Sequence, residues 1–189
     1  MWMFYKPSGV DTDMSPGSDL SRFIPMDHQF IGIHHIGRLD RDTSGLLLLS
    51  SDGVITHSVL NSKGLIKTYL ACVGGEVTGE RLYDLSRGVD LSDGPATVVS
   101  VEKVWTEDAC IRALYLRPDY RGVTRCSYIR VKTCEGRNRI VRRMLASVGL
   151  PVLSLHREQI GPLALDKSDI PGFLRPLTEA EITALLSEL

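Results

Sequence analysis

The sequence lacks a long run of apolar residues. No stretch of its 189 residues approaches the roughly 20 consecutive apolar positions that a membrane-spanning helix requires. The apolar start from Met1 to Tyr5 is broken at once by Lys6-Pro7 and has no basic front end, so it does not resemble a signal peptide. We expect this start to form a strand, and we expect a cytoplasmic or similarly reducing location.

Cysteine is also scarce, since the chain contains only Cys72, Cys110, Cys126 and Cys134. None of them forms a CxxC pair or is followed by a histidine at metal-ligand spacing, which argues against a zinc site and against a disulfide framework in so long a chain. A hydrophobic content of 43% and a charged content of 24% are ordinary for a soluble globular protein. The length suits one domain, or two small lobes that share a core.

The chain has no overall excess of charge, because its formal net charge is −1. The distribution of charge is uneven, however. The segment from Arg117 to Arg143 contains nine basic residues and only two acidic ones, which gives a net charge of +7 over 27 residues. The remainder of the chain therefore carries about −8. This segregation creates a local positive field that a phosphate backbone could use, and a solvated charged face is the alternative.

The hydrophobic pattern predicts more strands than helices, without regular alternation between them. This favours an α+β fold with a mixed or largely antiparallel sheet. Strands are expected at 2–5, 46–49, 66–73, 97–105, 111–116 and 127–134. Helices are expected at 54–61, 78–87 and 139–148, and from a capping box at 178–181 to the end of the chain.

The segment from Gly37 to Gly45, GRLDRDTSG, is a charged turn that leads into an apolar run. Its two aspartates, Asp40 and Asp42, have Arg38 and Arg41 nearby, and a carboxylate next to an arginine stays ionised. An ionised aspartate in a partly enclosed site can act as a nucleophile, a general base or a metal ligand. A salt-bridged turn at the start of a strand is the structural alternative.

A second charged cluster, EGRNRIVRRM at 135–144, opens a predicted helix. Arginines are unexpected there, because cations suit the carboxyl end of a helix dipole. Either an RNA phosphate or a carboxylate elsewhere in the fold would stabilise them, and a solvated helix face is the alternative. The spacing of Arg137, Arg139 and Arg143 suits phosphates, whereas Arg142 could lie on another face and reach a buried acid.

The third feature is Lys67-Thr68-Tyr69 in a predicted strand. Residues two apart in a strand point the same way, so Lys67 and Tyr69 share a face. The ring could stack on a flipped-out base while the cation holds a phosphate, although a tyrosine on a strand often serves packing alone.

These segments together resemble the RsuA/RluB/RluE/RluF group of bacterial-type ribosomal RNA pseudouridine synthases. The resemblance follows the order of the group's motifs over nearly the whole chain, and the pairing of GRLDRDTSG with EGRNRxVRRM is highly specific. The matching segments are KPSGV at 6–10, GRLDRDTSGLLLLSSDG at 37–53, KTY at 67–69, GVDL at 88–91, DG at 93–94, EGRNRIVRRM at 135–144, HR at 156–157, IGPL at 160–163 and RPLT at 175–178.

The resemblance implies the pseudouridine synthase fold, with a mainly antiparallel sheet in two lobes and a central cleft. It implies that Asp40 is the essential aspartate, Tyr69 the active-site tyrosine and Arg142 the basic residue that pairs with the aspartate. Arg38 corresponds to the arginine that helps to expel the target base. The expected RNA contacts are completed by Lys67, Arg137, Asn138, Arg139 and Arg143.

The same resemblance implies an isomerase that acts on ribosomal RNA, with a leaning toward the large subunit, and that works as a monomer without cofactor or metal. Residues 1–189 are expected to form one catalytic domain without a separate N-terminal RNA-binding domain, as in the RluE-like subgroup. One departure is Ile140, where most members carry glutamine. Two alternatives stay open: a catalytically silent RNA-binding or ribosome-assembly module of the same fold, and a metal-dependent phosphodiesterase that uses Asp40 and Asp42.

Overall fold

The computed structural model describes residues 1–25, 32–105 and 126–189. The strands in these ranges are β1 (Trp2–Lys6), β2 (His34–Ile36), β3 (Thr43–Ser50), β4 (Lys67–Gly74), β5 (Val89–Leu91), β6 (Gly94–Ala96), β7 (Ser100–Val104), β8 (Cys126–Thr133), β9 (Val152–Ile160), β10 (Leu163–Ala164) and β11 (Leu174–Pro176). The helices are α1 (Gly53–Asn61), α2 (Gly79–Ser86), α3 (Ile140–Ser147) and α4 (Glu179–Leu186), with a 3₁₀ turn at Ser21–Phe23. The strand expected at 111–116 lies outside the described residues.

The chain divides into two compact units, which agrees with the two lobes expected from the sequence. Unit 1 contains residues 1–65 and 158–189, and unit 2 contains residues 66–157. No helix in the described parts of the chain is both long and apolar enough to cross a membrane.

Unit 1 is built around β3, which pairs antiparallel with β1 and with β2, while β1 also pairs antiparallel with β11. The apolar run from Leu46 to Leu49 in β3 is fully buried on both faces, which explains why it does not alternate with polar residues. Helix α1 begins after Asp52, whose carboxylate accepts hydrogen bonds from the backbone N–H groups of Val54 and Ile55. The predicted capping box of α4 is present at Thr178 and Glu181.

Unit 2 contains a four-stranded array in the order β9-β4-β8-β7, to which β9 contributes residues 152–157, and β8 is antiparallel to both of its neighbours. Its core contains Leu70, Cys72, Val104 and Leu153. Strands β5 and β6 form a separate hairpin, against which α3 packs. The described strands and helices confirm the α+β class and the mainly antiparallel pairing.

Strand β9 and the start of helix α3 are among the features that differ from the sequence-based expectations. Strand β9 was not predicted, because Ser154, His156 and Arg157 interrupt its apolar pattern although all three are buried. Helix α3 begins one residue later than expected, since Arg139 adopts a left-handed conformation with φ of 49° and only caps the helix.

Candidate active site

Asp40 lies in the loop of unit 1 between β2 and β3, where it is half-buried. The backbone carbonyl of Asp40 accepts a hydrogen bond of 3.0 Å from the N–H of Thr43, the first residue of β3. The preceding residue, Leu39, is only 5% exposed and anchors the loop in the interior. The carboxylate is therefore carried by a tight turn directly before the most buried strand of the unit.

The backbone on either side of Asp40 is held by contacts from the N-terminal segment. The hydroxyl of the buried Thr12 donates to the carbonyl of Leu39 at 2.7 Å and accepts from its N–H at 3.2 Å. On the other side, the carbonyl of Arg41 accepts from the N–H of Gly9 at 2.7 Å and from the ammonium of Lys6 at 3.4 Å. These contacts fix the position from which Asp40 projects.

Lys6 is fully buried beneath this loop. Besides its bond to Arg41, its ammonium donates to the carbonyls of Pro7 at 2.9 Å and of Val10 at 2.5 Å. Burial lowers the pKa of Lys6 to about 8, against the opposing effect of nearby carboxylates, of which Asp11 is the strongest. In the sequence, Lys6 stands out only as part of the KPSGV motif, and no local signal marks it as a buried lysine.

Arg38 is exposed, whereas its neighbour Arg41 forms ion pairs with Asp11 at 2.5 Å and with Asp19 at 3.3 Å. These pairs raise the pKa of Arg41 further above its usual value. The salt-bridged turn considered as an alternative therefore exists, but Arg41 makes it at the surface. The same turn also carries the half-buried Asp40, so the surface ion pairs of Arg41 do not argue against Asp40 as a catalytic residue.

In unit 2, Tyr69 lies in β4 with 8% of its surface exposed. One guanidinium nitrogen of Arg157 is 3.4 Å from the hydroxyl of Tyr69, and the guanidinium carbon is 6.0 Å from the ring centre. Lys67, on the same face of β4, donates to the carbonyl of Cys134 at 3.2 Å. Burial, and secondly the charge of Arg157, lower the pKa of Lys67. Sequence reasoning included Arg157 in a motif but gave it no role.

Two of the arginines before and within α3, Arg137 and Arg143, have carboxylate partners inside unit 2. Arg137 binds Glu135 at 3.1 Å and Asp93 at 3.1 Å, and Arg143 binds Asp93 at 2.8 Å. Asp93 lies in the turn of the β5–β6 hairpin, and the bond from Arg143 is the main reason why its pKa is lowered. Of the two kinds of partner considered for these arginines, an RNA phosphate or a carboxylate elsewhere in the fold, the structure shows carboxylates for Arg137 and Arg143.

The remaining predicted residues of this cluster differ in exposure. Arg142 is 8% exposed and donates to the carbonyl of Val152 at 3.3 Å. Asn138 and Arg139 are exposed, and Ile140 is buried in the first turn of α3. The predicted RNA contacts Asn138 and Arg139 are thus exposed, whereas Arg142, which is predicted to pair with the catalytic aspartate, is buried.

The two units carry different parts of the predicted site. Unit 1 holds Arg38 and Asp40, and unit 2 holds Lys67, Tyr69, Arg137, Asn138, Arg139, Arg142 and Arg143. The basic residues Arg117, Arg121 and Arg125 lie outside the described residues. Among the described side chains, no group of three histidines, cysteines or carboxylates could hold a metal ion.

Residues 1–147 match the family model described as RNA pseudouridylate synthase. The matched span includes Asp40, Tyr69 and the cluster that begins at Glu135. The chain belongs to this family.

Relatives and a solved structure agree with the family assignment. A Mycobacterium tuberculosis protein, named an uncharacterized RNA pseudouridine synthase, is 42% identical over 154 residues, which are 81% of this chain and 54% of that protein. The ribosomal large subunit pseudouridine synthase E of Xanthomonas campestris is 39% identical, over 85% of this chain and 86% of that protein. A crystal structure of a pseudouridylate synthase is 29% identical, covers 97% of this chain and 72% of that one, and superposes with a TM-score of 0.78. The chain thus spans about half the length of its mycobacterial relatives.

Proposed function

We propose that this protein isomerises a uridine of ribosomal RNA to pseudouridine, with large-subunit RNA as the expected substrate and Asp40 as the catalytic carboxylate. The observation that carries the proposal is the Asp40 turn, whose backbone is held on both sides by buried polar contacts. Family membership supports the reaction. The large-subunit substrate is supported by the Xanthomonas relative, which matches this chain over most of both lengths.

The proposed reaction breaks the bond between uracil and ribose, rotates the base and rejoins it to the sugar through carbon. A glycosidase that hydrolyses its substrate normally needs two carboxylates, one for water and one for the leaving group. Here the base never leaves the site, so one carboxylate suffices. Asp40 attacks the sugar or removes a proton from it, and Arg142 is assigned to keep that carboxylate ionised.

Tyr69 is proposed to stack on the target base and to assist loss of the proton from its carbon 5. The uridine must first leave its stack, which costs a few kcal/mol. Arg38, an exposed side chain two residues before Asp40, is proposed to fill the vacated position. Lys67, Arg137, Asn138, Arg139 and Arg143 are proposed to contact the RNA.

We further propose that residues 1–189 act as one catalytic domain, as a cytoplasmic monomer, without a cofactor or a metal ion. Excess EDTA should then leave pseudouridine formation unchanged. Cleavage of the RNA without EDTA, which stops when EDTA is added, would favour the phosphodiesterase alternative that uses Asp40 and Asp42.

The decisive experiment compares Asp40→Asn with Asp42→Asn, the same chemical change two residues later in the same turn. Ribosomal RNA from cells that lack the gene is incubated with each purified protein, and pseudouridines are mapped in both subunits. We expect wild type and Asp42→Asn to modify one site. Asp40→Asn should lose roughly a thousandfold or more in rate, the scale on which removal of a catalytic group is felt, while it still binds the RNA.

The alternative of a silent RNA-binding module has one specific observation in its favour, the buried Ile140 where most members carry glutamine. It predicts that wild type and Asp40→Asn bind ribosomal RNA equally and that neither forms pseudouridine. A pseudouridine map that is the same for wild type and Asp40→Asn, with activity present, would instead refute the assignment of Asp40.

A further inference from the structure

We infer that Arg157 is a positioning residue for Tyr69, which it holds through the phenolic hydroxyl. The inference rests on the proposed function, because it assigns Arg157 a part in aligning the ring that is proposed to stack on the uracil. It concerns only unit 2, to which both residues belong.

The contact joins two neighbouring strands in the interior of unit 2. Tyr69 projects from β4 and Arg157 from β9, and the two side chains are 8% and 4% exposed. The guanidinium reaches both the hydroxyl, at 3.4 Å, and the ring, at 6.0 Å from its centre. A cation that touches an aromatic side chain at its polar end and beside its face restricts both the tilt and the rotation of the ring.

The chemistry of the pair sets the direction of the hydroxyl. A guanidinium has donors only, so the oxygen of Tyr69 must accept from Arg157. The hydroxyl hydrogen of Tyr69 is then directed away from Arg157, and the oxygen can offer it to another acceptor. Arg157 therefore determines both where the ring lies and which way its proton points.

Lys67 is a second cation that responds to Arg157. It lies two residues before Tyr69 on the same strand face, and the charge of Arg157 contributes to the lowering of its pKa after burial. Arg157 is thus close enough to influence both residues of the predicted base-binding face of β4. A side chain that served packing alone would not need a guanidinium at this point.

A double-mutant cycle tests the inference directly. The variants are Arg157→Lys, which keeps the charge but loses the planar fork, Tyr69→Phe, which loses only the hydroxyl, and the double variant. We expect Arg157→Lys to lower kcat by roughly tenfold or more, the value of one hydrogen bond to a charged group, with little change in KM for an rRNA fragment. In the Tyr69→Phe background the same change should have almost no further effect.

The matched control is Arg81→Lys, the same substitution at an arginine of α2 that donates to the carbonyl of Glu76 at 2.9 Å. It should leave kcat and KM unchanged. Independent effects of Arg157→Lys and Tyr69→Phe, whose rate losses multiply in the double variant, would overturn the inference. The proposed function fails separately, if wild type forms no pseudouridine.

A second measurement does not depend on activity. The ¹³Cζ resonance of Tyr69, assigned by its loss in Tyr69→Phe, should shift in Arg157→Lys and stay in place in Arg81→Lys. An unmoved resonance in a folded Arg157→Lys protein would also overturn the inference. If Arg157→Lys does not fold, Arg157→Gln, which keeps an amide donor, replaces it in both measurements with the same expected results.

Discussion

His156 is 4% exposed in β9, and burial lowers its pKa to about 4. In the unfolded chain it should titrate near 6.5, so between these values the unfolded state binds a proton that the folded state does not. The contribution of His156 to the free energy of unfolding is therefore complete above pH 6.5, and it is lost as the pH falls toward 4. Between pH 7.5 and 5, wild type should lose about 2 kcal/mol more unfolding free energy than His156→Gln, measured by urea denaturation.

The comparison isolates one histidine, because every other titrating group is common to both proteins. His57→Gln, the same substitution at an exposed position of α1, provides the matched control. If His156→Gln and wild type lose the same free energy over this range, His156 is not held neutral in the folded protein.

Roles could be proposed for residues from the sequence only where a motif carried them. The pattern GRLDRDTSG singled out Asp40, and Lys67-Thr68-Tyr69 singled out Tyr69. The buried positions of Lys6 and Arg157 could not be foreseen, since a charged residue is normally expected at the surface. Their burial depends on partners far away in the sequence, the carbonyl of Arg41 and the hydroxyl of Tyr69.

At the level of elements, the loop that carries Asp40 depends on a side chain from another loop. Thr12→Val keeps the shape of Thr12 but removes both hydrogen bonds to the backbone of Leu39. A small displacement of a catalytic group is costly, so we expect kcat for pseudouridine formation to fall by roughly ten- to a hundredfold. KM for the RNA should change little, because Thr12 is buried and cannot contact the substrate.

Thr12→Ser retains the hydroxyl and should recover most of the rate. Thermal unfolding of both variants separates a general loss of stability from a displaced loop. Full activity of Thr12→Val would show that the contact of Thr12 with Leu39 does not position Asp40.

The elements that could be predicted were those with an intact pattern or a strong cap, such as the apolar run of β3 and the capping box of α4. The hairpin of β5 and β6 escaped prediction because each of its strands has only three residues. Strand β9 escaped it because three of its buried residues are polar. In both cases the strand is stabilised by its neighbours in space, which a local pattern does not report.

Over the whole molecule, the uneven charge identified a basic region, but the sum of charges did not show which cations are exposed. Asp93 binds Arg137 and Arg143 from the turn of the β5–β6 hairpin, although it lies more than forty residues earlier in the chain. Arg139 is exposed, whereas Arg137 and Arg143 are partly buried. The capacity of this region to bind phosphates should therefore be unequal among its arginines.

The salt dependence of RNA binding can measure how much each of these arginines contributes to phosphate binding. Each phosphate contact adds about 0.7 to 0.9 to the slope of log affinity against log salt concentration, so Arg139→Gln should lower the slope for an rRNA fragment by about that amount. Asp93→Asn should raise the affinity for RNA at low salt and steepen the salt slope. The neutral amide binds Arg137 and Arg143 more weakly than the carboxylate does, which leaves their charges for RNA phosphates. Fluorescence anisotropy between 50 and 300 mM salt measures both slopes. An unchanged slope in Asp93→Asn would mean that the RNA does not compete with this carboxylate, and that Arg137 and Arg143 serve the fold of unit 2 alone.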